Sequence, residues 1–222
     1  MRNPNTATTD SGKGNTWFGN IDDDGTKRFF QDRETGRRIV KVFQGEWYVS
    51  CIDEIISTIL GSCISACIRD PLTKVGGINH FLLPYGDMEQ DSAKKTRDAG
   101  LPTRYGNFAM EQLINEILKR GGDRKRLEVK VFGGGNVLAG GMDIGHKNAD
   151  FIEDYLSNEG LKVVSKSLRG VHPRMIRYFP ESGKVMVRTV DPTRAQTIAQ
   201  QEYKKRIRIA EKQPEGDIEL FD

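Results

Sequence analysis

The sequence predicts an α+β protein in which strands dominate. Three observations carry that prediction. Short runs rich in Ile, Val, Phe, Trp and Tyr recur between Gly, Pro and Asp turn residues, which is strand composition. Two longer segments set their apolar residues on one face at helical spacing, and each stops at glycine. No internal repeat is present.

The elements follow in order. Residues 1–26 are rich in Asn, Thr, Asp and Gly and read as a disordered arm, with Trp17 and Phe18 its large apolar groups. A single domain is expected over 27–193, with regular order beginning near Arg37. "RRIVKVFQGEWYVS" predicts two short strands around a turn at Gly45. "IISTILGSCISACIRDP" supplies one or two buried elements, closed by the Asp70-Pro71 turn signal, and "VGGINHFLLP" a further strand.

Residues 86–104 are polar and read as a long exposed loop. A helix is predicted from about Asn107 to Arg120, with Phe108, Leu113, Ile114, Ile117 and Leu118 largely on one face. "RLEVKVFGGGN" is a strand running into a glycine turn, and "NADFIEDYLSNEG" a second helix. "LKVVSKSL", "RMIRYFP" and "GKVMVRTV" are three more strands, the last two joined by Pro-Glu-Ser-Gly. Residues 194–222 differ in kind: a basic stretch with helical potential, then the acidic end "EGDIELFD".

Bulk properties narrow the function. The 34 basic and 31 acidic residues nearly balance, which does not suggest a nucleic-acid partner. The most apolar window, Ile55 to Ile68, is too short to span a bilayer and carries Ser57, Thr58, Gly61 and Ser62, so no membrane insertion is expected. The N-terminus lacks the apolar centre of a signal peptide. Three cysteines without framework spacing read as reduced thiols of a cytoplasmic protein. Nothing requires more than a monomer.

One stretch raises a chemical question. "ILGSCISACIRDPLTKVGGINHFLLP" sets Cys63 directly after Gly61 and Ser62, and His80 seventeen residues on. A cysteine activated by histidine is a strong nucleophile at neutral pH, and the histidine then protonates the leaving group. Gly61 permits close approach, and the amides near Ser62 and Cys63 suit an oxyanion. Two readings stay open on spacing alone. Buried cysteine packs as a small hydrophobe, and a lone histidine on an apolar strand is commonly a core residue. Cys67 reads as core, and Cys51 has no partner signal.

Zinc is disfavoured, because Cys63, Cys67 and His80 lack a fourth ligand and Cys-x3-Cys in a strand-like run chelates poorly. "FGGGNVLAGG" fails both phosphate-loop templates and reads as a tight turn where something approaches the backbone. No cofactor is expected.

"TILGSCISACIRDP", "GGINHFLLP", "RYGNFAM", "VKVFGGGNVL" and "DIGHKN" occur in this order. Together they resemble the chemoreceptor glutamine deamidase family, CheD, of bacterial chemotaxis, from about Ile39 to Val190. The resemblance implies Cys63 as nucleophile and His80 as catalytic histidine. The family's threonine six positions before the cysteine falls on Ser57, with Thr58 beside it, and which hydroxyl orients His80 stays open. The resemblance further implies a β-sandwich-like core flanked by helices, related to toxin deamidases such as the cytotoxic necrotising factors.

The implied reaction converts a receptor glutamine to glutamate through a thioester, with a possible glutamyl methylesterase side activity. The implied partners are the cytoplasmic helices of methyl-accepting chemoreceptors and a CheC-type phosphatase. Gly61, Ser62, Gly134, Gly135 and Asn136 are expected to border the substrate. His146 and His172 are expected to be structural or at the surface. The competing reading is a non-catalytic partner of the phosphatase or receptor array, which would tolerate loss of Cys63.

Overall fold

A computed structural model describes residues 28–83, 101–137 and 143–191, together with 197, 200, 201 and 204. The expected N-terminal arm, most of the 86–104 loop and nearly all of the C-terminal tail lie outside the described residues. No helix among the described residues is long and apolar enough to cross a membrane.

The described residues form an α+β fold with two mixed five-stranded sheets, two long α-helices and a short 3-10 helix at Arg124–Arg126, and residues 197, 200, 201 and 204 are also helical. Strands β1 (Phe29–Gln31), β2 (Arg38–Lys41), β4 (Ile55–Leu60), β9 (Arg174–Phe179) and β10 (Lys184–Thr189) form the first sheet, in the order β1-β2-β4-β9-β10. Strands β3 (Glu46–Ser50), β5 (Ile64–Arg69), β6 (Gly76–His80), β7 (Glu128–Gly133) and β8 (Lys162–Leu168) form the second, in the order β3-β6-β5-β7-β8. Helices α1 (Leu101–Lys119) and α2 (Ile144–Asn158) pack on the second sheet.

Among the described residues, regular structure is already present at β1, earlier than Arg37. Helix α1 also starts before its expected Asn107, at Leu101. Pro102 suits that position because the first helical amides need no intrahelical acceptor. The strands flanking Gly45 do not pair with each other. Gly45, at φ +86°, turns the chain from one sheet to the other.

Alternation along the strands builds two apolar layers. From β5, Ile64, Ala66 and Ile68 face the helices, where they meet Leu113, Ile114 and Ile117 of α1 and Ile152 of α2. Cys67 faces the other way, into a layer between the sheets with Ile56, Leu60, Ile78, Phe132, Ile176 and Tyr178. Strands β4, β5 and β6 are therefore covered on both faces. Their near-continuous apolar sequences follow from that double burial.

The Asp70-Pro71 signal marks an ionic knot. The buried Asp70 carboxylate accepts from the Leu72 and Asp123 amides, each at 2.9 Å, and from Arg126 Nη2 at 2.6 Å. Its hydrogen bond to Arg126 holds the carboxyl well below the usual carboxylate range. A folded-state pKa below the unfolded one stabilises the protein above about pH 4, and that contribution fades as pH falls through the folded value. Asp70→Asn is expected to lower unfolding free energy by about 2 kcal/mol at pH 7. The difference should narrow progressively below about pH 4 in denaturant titrations; a gap independent of pH would show that the charge is not what matters.

Candidate active site

The segment Gly61–Cys63 carries the chain from β4 in the first sheet to β5 in the second. Strands β5 and β6 pair antiparallel, Cys67 opposite Ile78. The pairing continues beyond β6, where Ile64 and Phe81 exchange both backbone hydrogen bonds at 2.9 Å. Cys63 and His80 thus flank one hydrogen-bonded pair on adjacent chains. Ile64 and Phe81 point to the helices, and Cys63 and Leu82 to the inter-sheet layer. His80 alternates with Phe81 and so shares the inter-sheet side with Cys63. Cys63 is 0% exposed and His80 5%.

Across the layer, β4 meets His80. Ile56 and Leu60 face the inter-sheet side, and Thr58 lies between them. Thr58 Oγ1 stands 2.7 Å from His80 Nδ1 and also donates to the Val42 carbonyl at 2.7 Å. A carbonyl only accepts, so the single hydroxyl proton goes to Val42. His80 Nδ1 must then carry a proton and donate it to Thr58 Oγ1. In the neutral ring, Nε2 therefore bears the lone pair, the tautomer a general base requires.

Ser57 sits on the opposite face of β4. Its hydroxyl donates to the Ile176 carbonyl at 2.7 Å, within the first sheet. The hydroxyl that reaches the histidine is thus Thr58's and not that of Ser57.

The glycine loop after β7 braces the segment that carries Cys63. Gly134 N–H donates to the Cys63 carbonyl and Gly135 N–H to the Gly61 carbonyl, each at 2.8 Å, while Asn136 N–H donates to Gly170 at 2.7 Å. Those three amides are committed to hydrogen bonds within the protein. Gly133, at φ +112°, lies so close that an added Cβ would sit 2.0 Å from the Cys63 carbonyl oxygen. Gly133→Ala is expected to cost at least about 2 kcal/mol from backbone strain alone, and to displace Cys63. Thermal unfolding checks the first effect and turnover the second.

The other thiols differ. Burial pushes the Cys67 thiol far up, with only partial opposition from Lys130. Such a thiol stays protonated and inert. Cys51 is exposed. His146 pairs with Asp143 at the surface and His172 is exposed, as their expected peripheral roles require.

Comparison with known proteins decides the family. The CheD profile, described as chemotactic sensory transduction, matches residues 82–189. A Rhodopseudomonas palustris protein named "Probable chemoreceptor glutamine deamidase CheD" is 48% identical over 198 residues, covering 87% of this chain and 89% of the relative. Proteins of the same name from Hydrogenovibrio crunogenus and Herminiimonas arsenicoxydans are 46% and 44% identical, covering 86% of this chain and 97% and 93% of themselves.

This chain belongs to the CheD family.

The CheD profile begins two residues after His80, yet a span of 87% of 222 residues includes positions 63 and 80 wherever it starts. Within the CheD profile lie two polar groups beside the site to which the sequence reading gave no role. Burial raises the Tyr105 phenol, and Cys63 raises it further, so α1 brings Tyr105 within electrostatic reach of the thiol. Asn148 bonds the loop before Cys63 and the chain after His80. A signal for Asn148 existed. It falls at helical spacing among Ile144, Ala149, Ile152 and Leu156, a lone amide on the apolar stripe of α2.

Proposed function

We propose that this protein deamidates glutamine side chains of chemoreceptors to glutamate, through a thioester on Cys63. The carrying observation is the hydrogen bond between Thr58 and His80 Nδ1, which favours the tautomer with its lone pair on Nε2. The relatives' printed names supply the substrate class.

In the proposed cycle His80 Nε2 takes the Cys63 proton. The thiolate adds to the carboxamide carbon, forming a C–S bond and an oxyanion. Collapse breaks the C–N bond as the imidazolium returns its proton to nitrogen, and ammonia leaves. Water then adds to the thioester with Nε2 as base, and the C–S bond breaks. One water is consumed and one ammonia released. Thr58 holds the ring in one tautomer and orientation throughout, the part a carboxylate plays in other triads. The kinship with toxin deamidases belongs to the same proposal and draws support from the two-sheet core around a cysteine–histidine pair.

Peptide mass spectrometry on a chemoreceptor cytoplasmic fragment tests the reading. Incubation with the native protein should produce a Gln-to-Glu mass rise at particular glutamines. No rise, with folded protein and a receptor from the same source, overturns the enzyme reading and favours a docking protein.

A further inference from the structure

Asn148 is 1% exposed and uses both ends of its amide. Nδ2 donates to the Ser62 carbonyl at 2.7 Å, and Oδ1 accepts from the Leu83 amide at 3.2 Å. One side chain thus joins the peptide immediately before Cys63 to the strand extension three residues past His80. We infer that Asn148 is a positioning residue for the thiol chemistry, fixing the Ser62–Cys63 peptide relative to His80. This inference rests on the reading of Cys63 and His80 as the reacting pair.

The geometry explains why one amide matters. A peptide unit is planar, so holding the Ser62 carbonyl also fixes the direction of the Cys63 N–H and the position of the Cys63 Cα. On the other side of Cys63, Gly134 N–H holds the Cys63 carbonyl at 2.8 Å. Both peptide planes flanking the nucleophile are pinned, one by a glycine amide and one by Asn148. The thiol is left with its side-chain rotamer as the main freedom.

Helix α2 is itself seated on the glycine loop. An added Cβ at Gly145 would lie 2.5 Å from the Gly135 carbonyl oxygen, so only glycine allows that approach. Asn148 follows one turn later, on the same rigid element. The loop, the helix and the Cys63 segment are therefore tied together by close contact and hydrogen bonds, and the Leu83 bond extends those ties to the strand bearing His80. Thiol chemistry is sensitive to this. A displacement of about 1 Å in a reacting group can lower a rate by about 100-fold.

A merely structural asparagine would satisfy the same two backbone groups, so the test needs a readout beyond folding. Asn148→Asp keeps the shape and the acceptor for Leu83. It can donate to the Ser62 carbonyl only while its carboxyl is protonated. Asn148→Ala removes both bonds and suits a helix, so it carries the test if the aspartate variant does not fold.

With a chemoreceptor fragment as substrate, kcat of either variant should fall by about 100-fold, with KM changed by less than about threefold. The aspartate variant should show an extra ionisation in its kcat–pH profile, with activity lost as its carboxyl ionises, absent from the native protein and the alanine variant. Independently of substrate, iodoacetamide labelling of the Cys63 peptide, resolved by mass spectrometry, should change its rate and pH profile in both variants. Folded variants whose kcat and labelling profile match the native protein within twofold overturn the role of Asn148 alone. A native protein that labels at Cys63 but never converts glutamine overturns the deamidase reading, and the inference with it.

Discussion

Cys63→Ala is expected to abolish glutamine conversion, lowering the rate by about a thousandfold or more, while leaving the protein folded. In the proposed cycle this substitution removes the covalent nucleophile, and such losses are among the largest single-residue effects in enzymes. The structural cost is small by comparison. Cys63 is a small side chain within the inter-sheet layer, and the alanine retains every backbone bond that braces the segment. Mass spectrometry of the receptor fragment measures the loss, and circular dichroism checks the fold. Turnover retained in Cys63→Ala would sink the thioester mechanism, because nearby Cys67 is held protonated by burial and points into packed side chains.

The second large effect separates neighbouring hydroxyls. Thr58→Val keeps the shape of the side chain and removes the oxygen that meets His80 Nδ1. Without that acceptor nothing on Thr58 holds the Nδ1–H tautomer, and the ring is free to present the wrong nitrogen state. A fall in kcat of about 100-fold to 1,000-fold is expected, short of the roughly ten-thousandfold loss seen when a buried carboxylate is the orienting group. Thr58→Ser keeps the hydroxyl and should restore most of the activity. Ser57→Ala should leave kcat within about twofold and cost about 1 kcal/mol of stability, the worth of one buried hydrogen bond. Steady-state kinetics of the three variants decide the matter; the reverse ranking would assign the orienting role to Ser57.

Much of the fold was legible. Strand-forming runs, turn residues and two amphipathic helices correspond to observed elements, because local composition and periodicity act over a few residues. The glycine run was also correctly read as a close backbone approach. Sheet membership was not legible. β2 and β3 are separated by a short turn yet belong to different sheets, as do β4 and β5. Sequence neighbours usually pair, and nothing in "VFQGEW" or "LGSC" announces a change of sheet.

Which hydroxyl meets the imidazole stayed open in the sequence for a related reason. Alternation says that Ser57 and Thr58 face opposite ways, but not which way is inward. In a strand exposed on one side, polarity would answer that. In β4 both faces are buried, Ile56 and Leu60 on one and Ile55 on the other, so neither hydroxyl stands out. The face became clear only when β6 arrived from the opposite sheet with His80.

By itself, then, the sequence determined the kinds of elements, the thiol and imidazole seventeen residues apart, and the family. Those properties live in local composition and in ordered motifs. The tertiary structure alone decided which hydroxyl touches the imidazole, which tautomer follows, and that an amide on α2 ties the two halves of the site together. The Thr58–His80 and Asn148–Ser62 bonds join positions 22 and 86 residues apart. Contacts of that range depend on how sheets and helices stack, and a stacking that buries both faces of a strand erases the polarity pattern from which a sequence could report it.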